Sequence, residues 1–175
     1  MPISNFPNGF SQGVSIRGVP IEIPHPGKVF WVNNSTVLAE KGIGGSNNKD
    51  GSYTTPFSTI DYAVGRCTPD RGDVIYVMPG HVETISAASS LDIDVAGVTI
   101  IGLGKGTKQA RLDFTDTAGT VTVDADDVSI INMNLHANVS GVVIGLSVLT
   151  GATDCLVKSC TFDVETTGTD EFLIS

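Results

Sequence analysis

Basic residues are scarce in this chain: ten Lys and Arg stand against 19 Asp and Glu, giving a net charge of -9 and a pI near 4.5. A duplex-binding protein needs clustered cations to displace condensed counterions, so nucleic acid is excluded as the expected partner. An anionic membrane surface is excluded for the same reason. No stretch approaches the roughly 18 consecutive apolar residues of a membrane-spanning helix. Cysteine is sparse and odd in number (Cys67, Cys155 and Cys160), which does not fit a secreted disulfide framework. Met1 to Gly13 offers neither the basic start nor the apolar centre of a secretory leader, so production in a reducing cytoplasm is expected. Ala-, Glu-, Lys- and Leu-rich stretches able to make several helices are also missing. Charged residues reach only 17%, low for an ordinary enzyme.

What remains is strand and turn material. Hydrophobic residues make up 41% and Gly reaches 20, enough for one domain with a substantial core. Thr, Ser, Val, Ile and Asp favour strands joined by tight turns.

Three zones follow one another. Residues 1–27 read as an extended arm, interrupted by Pro2, Pro7, Pro20, Pro24 and Pro26 and turning at Asn8-Gly9. Apolar anchors recur along it at Ile3, Phe6, Phe10, Val14, Ile16, Val19, Ile21 and Ile23. They suit an arm docked on another surface, or a pair of edge strands on the chain's own core. Residues 28–80 contain a strand at Lys28–Val32, a polar loop from Gly42 to Ser52, and a helix within Pro56–Val64. Ser58 is the expected helix cap, with Ile60, Ala63 and Val64 on one face. Arg71-Gly72-Asp73 turns into a strand at Val74–Met78, which Pro79-Gly80 ends.

Residues 81–175 repeat. Asp94-Val-Ala-Gly-Val-Thr-Ile-Ile resembles Asp124-Ala-Asp-Asp-Val-Ser-Ile-Ile, and Ala152-Thr-Asp-Cys-Leu-Val follows the same pattern. The aligned anchors Val98, Val128 and Leu156 lie 30 and 28 residues apart. Further strands are expected at Arg111–Phe114, Thr120–Val123 and Val142–Leu149. A period of this size, built from short strands and turns without intervening helices, predicts a solenoid. Val98 over Val128 over Leu156, and Ile100 over Ile130, would form ladders inside the cylinder. A β-sandwich is the competing fold.

The segment from Gly45 to Gly80 resembles the opening of right-handed parallel β-helix proteins. Its Asp50-Gly51, Pro56-Phe57, Thr59-Ile60-Asp61-Tyr62-Ala63 and Gly72-Asp73-Val74-Ile75-Tyr76-Val77-Met78-Pro79-Gly80 carry the likeness. The resemblance implies an all-β, right-handed parallel β-helix with an N-terminal capping helix and an extended N-terminal arm. A narrower resemblance links Ile3-Ser-Asn-Phe-Pro-Asn-Gly-Phe10 and Ile16-Arg-Gly-Val-Pro20 to the start of tailed-bacteriophage virion proteins with β-helical bodies. Capsid decoration proteins, head fibres and tailspikes share that plan, commonly as trimers. It implies a structural role on the virion surface, anchored to the major capsid protein or another virion protein through Ile3, Phe6, Phe10, Val14, Ile16, Val19 and Ile21. The alternative is a tailspike or other carbohydrate-binding or depolymerising β-helix protein. A non-viral adhesin stands third.

Chemistry is harder to find. A glycosidase needs two carboxylates roughly 5–9.5 Å apart. Asp92 with Asp94, or Asp124 with Asp126, have the spacing to share a strand face. Of Asp92, Asp94, Asp113, Asp116, Asp124, Asp126 and Asp127, however, most are expected at turns, where Asp bonds its own backbone. His25, His81 and His136 lack close-spaced partners; His81 is expected at a solvated corner beside Glu83. No Cys stands at zinc spacing from a His. Cys155 and Cys160 are expected to face opposite ways, at least one as a small buried hydrophobe. Gly102-Leu-Gly-Lys-Gly-Thr107 departs from a phosphate loop because Gly106 separates Lys105 from Thr107, and reads as a turn. No cofactor, metal or catalytic residue is expected. The apolar ending Glu171-Phe-Leu-Ile-Ser175 leads us to expect further coils beyond it, since a solenoid needs capping at both ends.

Overall fold

The structure, a computed structural model, describes residues 15–16, 19–20, 27–164 and 171–172. It is a parallel β-solenoid. Strands β1 (Ser15–Ile16) and β2 (Val19–Pro20) form a small antiparallel pair with Ile16 opposite Val19. The anchors Ile3, Phe6, Phe10, Val14 and Ile21 lie outside the described residues.

Strand β3 (Val29–Val32) precedes two short helices, α1 (Thr36–Glu40) and α2 (Ile60–Val64). Three coils follow. The first is β4 (Val74–Val77), β5 (Val82–Ile85) and β6 (Leu91–Ile93). The second is β7 (Thr99–Gly102), β8 (Arg111–Phe114) and β9 (Val121–Val123). The third is β10 (Ser129–Ile131), β11 (Asn134–Ala137), β12 (Ser140–Val142) and β13 (Leu146–Val148). Strands β14 (Leu156–Lys158) and β15 (Thr161–Val164) begin a fourth, and β16 (Glu171–Phe172) lies beside β12.

Corresponding strands stack in parallel into three walls. The first wall has the order β14-β10-β7-β4-β3, the second β15-β11-β8-β5 and the third β13-β9-β6. Every pairing among β3 to β16 is parallel, which excludes the antiparallel sandwich.

Alternation within each strand decides which side chains enter the cylinder. In the first wall Phe30, Ile75, Ile100, Ile130 and Val157 stack in register along the inside. In the second, Ile85, Phe114, Ala137 and Val164 do the same. The predicted ladder of Ile100 over Ile130 is therefore present, but that of Leu156 under Val128 is displaced by one residue. Leu156 pairs with Ser129 on the outside, and Cys155 takes the place beneath Val128. The shift follows from Asp127 and Asp154, which turn successive coils at the same corner with φ near 55°. Gly72 and Gly97 serve the two coils above with φ of 72° and 74°. Only glycine and short polar residues tolerate that conformation readily.

The second corner works similarly through Asn132 and Ser159, both at φ 56°. That bend lies between Cys155 and Cys160, so both thiols pack against the core rather than facing opposite ways. Asn132 also donates to the carbonyls of Gly102 and Gly104 in the coil above, tying the bends together.

Two further expectations change. The strand expected over Val142–Leu149 is split into β12 and β13, with Val143 and Ile144 exposed at the break. Helix α2 starts at Ile60, and Thr59 rather than Ser58 caps it by accepting from the Tyr62 amide. Ser58 instead binds Asn47 Oδ1 through both its amide and its hydroxyl. The expected buried face of Ile60, Ala63 and Val64 is present, and α2 lies over the first coil.

Ile100 sits at the middle of the longest ladder and is 1% exposed. Ile100→Ala should cost about 3 kcal/mol through lost transfer energy and a residual cavity. Urea unfolding with an unchanged slope checks this.

Candidate functional site

Two carboxylates occupy inward positions in the first coil, where later coils carry hydrophobes. Glu83 stands above Leu112, Leu135 and Phe162 in register. Asp73 immediately precedes Val74, the partner of Thr99, and so stands above Val98, Val128 and Cys155. A buried carboxylate is costly unless bonded, and both are.

Glu83 accepts from the Ile60 amide at 2.8 and 3.1 Å, holding the first turn of α2. Its Oε2 also lies 3.0 Å from His81 Nε2. His81 Nδ1 accepts from the Asn34 amide at 3.1 Å, which leaves the ring proton on Nε2 to be donated to Glu83. His81 is fully buried, contrary to the solvated corner expected. Pro79-Gly80 folds it under the loop that follows β3, where Asn34 also pairs with the Val82 backbone.

Asp73 accepts from the Lys28 amide at 2.6 Å, the Thr68 amide at 2.8 Å and the Arg71 guanidinium at 2.6 and 2.7 Å. The Arg71-Gly72-Asp73 tripeptide is thus a fixed internal clasp. Burial pushes the Asp73 carboxyl up, but the Arg71 bonds and the two amides outweigh it, and its pKa lies below the ordinary value. Burial first, and the Asp73 charge second, push the neighbouring Cys67 thiol up to about 12, far from a reactive thiolate.

The expected carboxylate pairs divide. Asp92 and Asp94 meet Asp124 and Asp61 on the outside of the third wall, and Asp61 accepts from the Asp92 amide at 3.2 Å. Burial, then the charges of Asp94, Asp124 and Asp61, raise the Asp92 pKa. Asp126 is at a corner, accepting from the Thr153 amide and hydroxyl, which lower its pKa. Asp116 makes its own turn through the Ala118 amide, as expected of turn aspartates. Asp92 lies within β6 instead, and Asp113 within β8, the strand expected over Arg111–Phe114. His25 is outside the described residues.

The outer face of the second wall carries a grouping that the sequence reading missed. Asp113, His136 and Asp163 stack in register on β8, β11 and β15. His136 lies 3.8 Å from Asp113 and 3.7 Å from Asp163, and Arg111 lies 3.6 Å from Asp113. Asp113 and His136 are buried although they face outward. Beside them, a groove of about 760 Å³ runs along the corner between the first and second walls. Its floor is Val82, Arg111 and Asn134, the first residues of β5, β8 and β11. One bank is the start of α1, and the other is the Gly106–Lys108 turn. That turn, the glycine-rich segment expected to join successive coils, instead joins β7 to β8 within the second coil. The signal for this site was the strand register, which places residues 20 to 30 apart side by side.

Among the described residues no three His, Cys, Asp or Glu gather as metal ligands, and no helix is long and apolar enough to cross a membrane. No family model, curated protein or solved structure matches the chain.

Asp73→Ala should destabilise the fold by roughly 2–3 kcal/mol. Most of that arises from the orphaned Lys28 and Thr68 amides, because Arg71 is partly exposed and its ion pair is screened. A depressed folded pKa contributes stability above the unfolded value near about 4, lost as pH falls through the folded value. Denaturant titrations from pH 6 to pH 2 should therefore show the native chain losing more stability below about pH 4 than Asp73→Ala does.

Proposed function

We propose that this chain is a structural building block of a tailed-phage particle, held on the capsid surface through its N-terminal arm in a decoration or head-fibre role. The observation that carries this reading is the difference between the two ends of the solenoid. The first coil is closed by α2 and by bonded carboxylates. The last described rung presents Val157 at 42%, Phe162 at 60% and Val164 at 38% exposure, although their counterparts Ile130, Leu135 and Ala137 one coil above are buried. An exposed apolar face of this kind suits contact with another subunit of a larger assembly.

The arm's resemblance to phage virion proteins supplies the rest of the reading. Its apolar residues, from Ile3 to Ile21, would bury against the major capsid protein or another virion protein, with the solenoid projecting from the shell. A homotrimer fits such an arrangement, since three copies would share one attachment point and shield one another's open rungs.

Deleting residues 1–23 is the direct test. Truncated protein should keep its β-rich circular dichroism and melting temperature but lose at least tenfold in binding to undecorated capsids, measured by co-sedimentation. Undiminished co-sedimentation contradicts the anchoring role.

A further inference from the structure

We infer that the outer face of the first wall is a self-association surface, on which a second copy of this chain docks with the two solenoid axes parallel. The pairing stands whether or not the chain belongs to a virion, and it uses a surface apart from the arm and from Val157, Phe162 and Val164. Outward positions differ among the three walls. Asp113 and Asp163 face outward from the second wall and Asp92 from the third. None of the five strands of the first wall contains Asp or Glu, although the chain carries 19 of them. Trp31, Tyr76, Ile101, Ile131 and Lys158 instead stack in register along its outside. Trp31 stacks on Tyr76 at 4.9 Å, and Tyr53, 53% exposed, meets Trp31 edge-on at 5.0 Å. A flat strip of aromatic and aliphatic side chains on an outer face has the composition of a contact surface.

The charges along the two edges of the strip identify the occupant. At the edge where the strands begin, Asp70, Asp127 and Asp154 are exposed, and all three hold the left-handed corner conformation. At the edge where they end, Lys105 and Lys108 lie exposed in the turn after β7, and Lys158 ends β14. The turns at that edge (residues 78–81, 103–110, 132–133 and 159–160) contain no Asp or Glu. An uncharged strip thus lies between an acidic edge and a basic one. Two copies at -9 each repel wherever carboxylates meet, so they can approach only where the carboxylates are missing. A basic partner protein would be drawn to the acidic outer faces of the other walls instead. If the facing copies had antiparallel axes, acidic edge would meet acidic edge. With parallel axes the strands of the facing copy run the opposite way, and the acidic edge of each copy meets the lysine edge of the other. Lys158 of each copy then lies opposite the other's Asp154, because both residues belong to one rung. Flat sheets pack face to face in this manner about 10 Å apart. Five strands about 5 Å apart, each about four residues long, make a strip of roughly 20 by 13 Å. That is well below the roughly 800 Å² per partner of a standard interface, so the association is weak and concentration-dependent.

Sedimentation velocity on the full chain, from micromolar to near-millimolar concentration, tests this. The native chain should associate reversibly towards the upper end. Ile131→Asp places a carboxylate in the strip and should weaken association by roughly tenfold or more. Lys158→Glu, at an exposed position, should weaken it about fivefold at low salt, and high salt should remove at least half of that difference by screening the edge charges. Asp154→Asn, which suits the same left-handed corner, should weaken it about twofold. Melting temperatures are recorded alongside, and should Ile131→Asp fail to fold, Lys158→Glu and its salt dependence carry the test. A native chain that stays monomeric throughout overturns the inference. So does association indifferent to all three substitutions, which would move the contact to the arm or the lower end. Association strengthened by Lys158→Glu also overturns it, being the result expected of lysine edge on lysine edge.

Discussion

A parallel solenoid has no internal reason to stop. Every rung leaves one row of backbone groups and one set of inward side chains for the next rung to cover, and whatever lies at the end must satisfy both. In this chain the upper end is resolved by placing charge where the ladder would otherwise carry another hydrophobe. Asp73 replaces the aliphatic residue above Val98, and Glu83 the one above Leu112. Each then binds backbone amides of the segments folded over the opening: Lys28 and Thr68 for one, Ile60 for the other. The cap, the first coil and the loop after β3 are thereby fastened through two carboxylates and His81. Helix α2 is only five residues long and would not persist alone. It is held by its buried Ile60, Ala63 and Val64 and by the charge at its N-terminus.

At the lower end the ladders run on into exposed hydrophobes. Phe172 partly covers them, its ring meeting Phe114 at 5.4 Å and Phe162 at 5.8 Å in edge-on contacts. Phe162 is nonetheless the most exposed large hydrophobe of that rung. Among the described residues the two ends therefore differ, the upper closed by bonded carboxylates and the lower carrying exposed hydrophobes. The polar groove lies on the flank near the closed end, bounded by the same α1 segment that begins beside Asn34.

Much of the architecture was legible in the sequence because the repeat is local. Val98-Thr-Ile-Ile and Val128-Ser-Ile-Ile declare their alternation directly, and the pairing of Ile100 with Ile130 follows from aligning them. The alignment failed at Leu156, where Asp154 had to be recognised as the left-handed corner residue before Cys155 could be placed inside. His81 and Glu83 were misread because a corner histidine normally meets solvent. Only the fold of the segment around Asn34 shows that it is covered. The groove was invisible for a related reason. Arg111 and Asn134 are 23 residues apart, and neither stands in a motif; stacking of rungs alone makes them neighbours. Repetition reveals the walls of a solenoid, while its sites come from residues that interrupt the repetition.

Cryo-electron microscopy of phage particles assembled in the presence of this chain tests the proposed structural role most directly. The account predicts solenoid density standing on the shell, with residues 1–23 extended into the capsid lattice and the open rung covered. Density confined to the tail, or particles that never incorporate the chain, would contradict it.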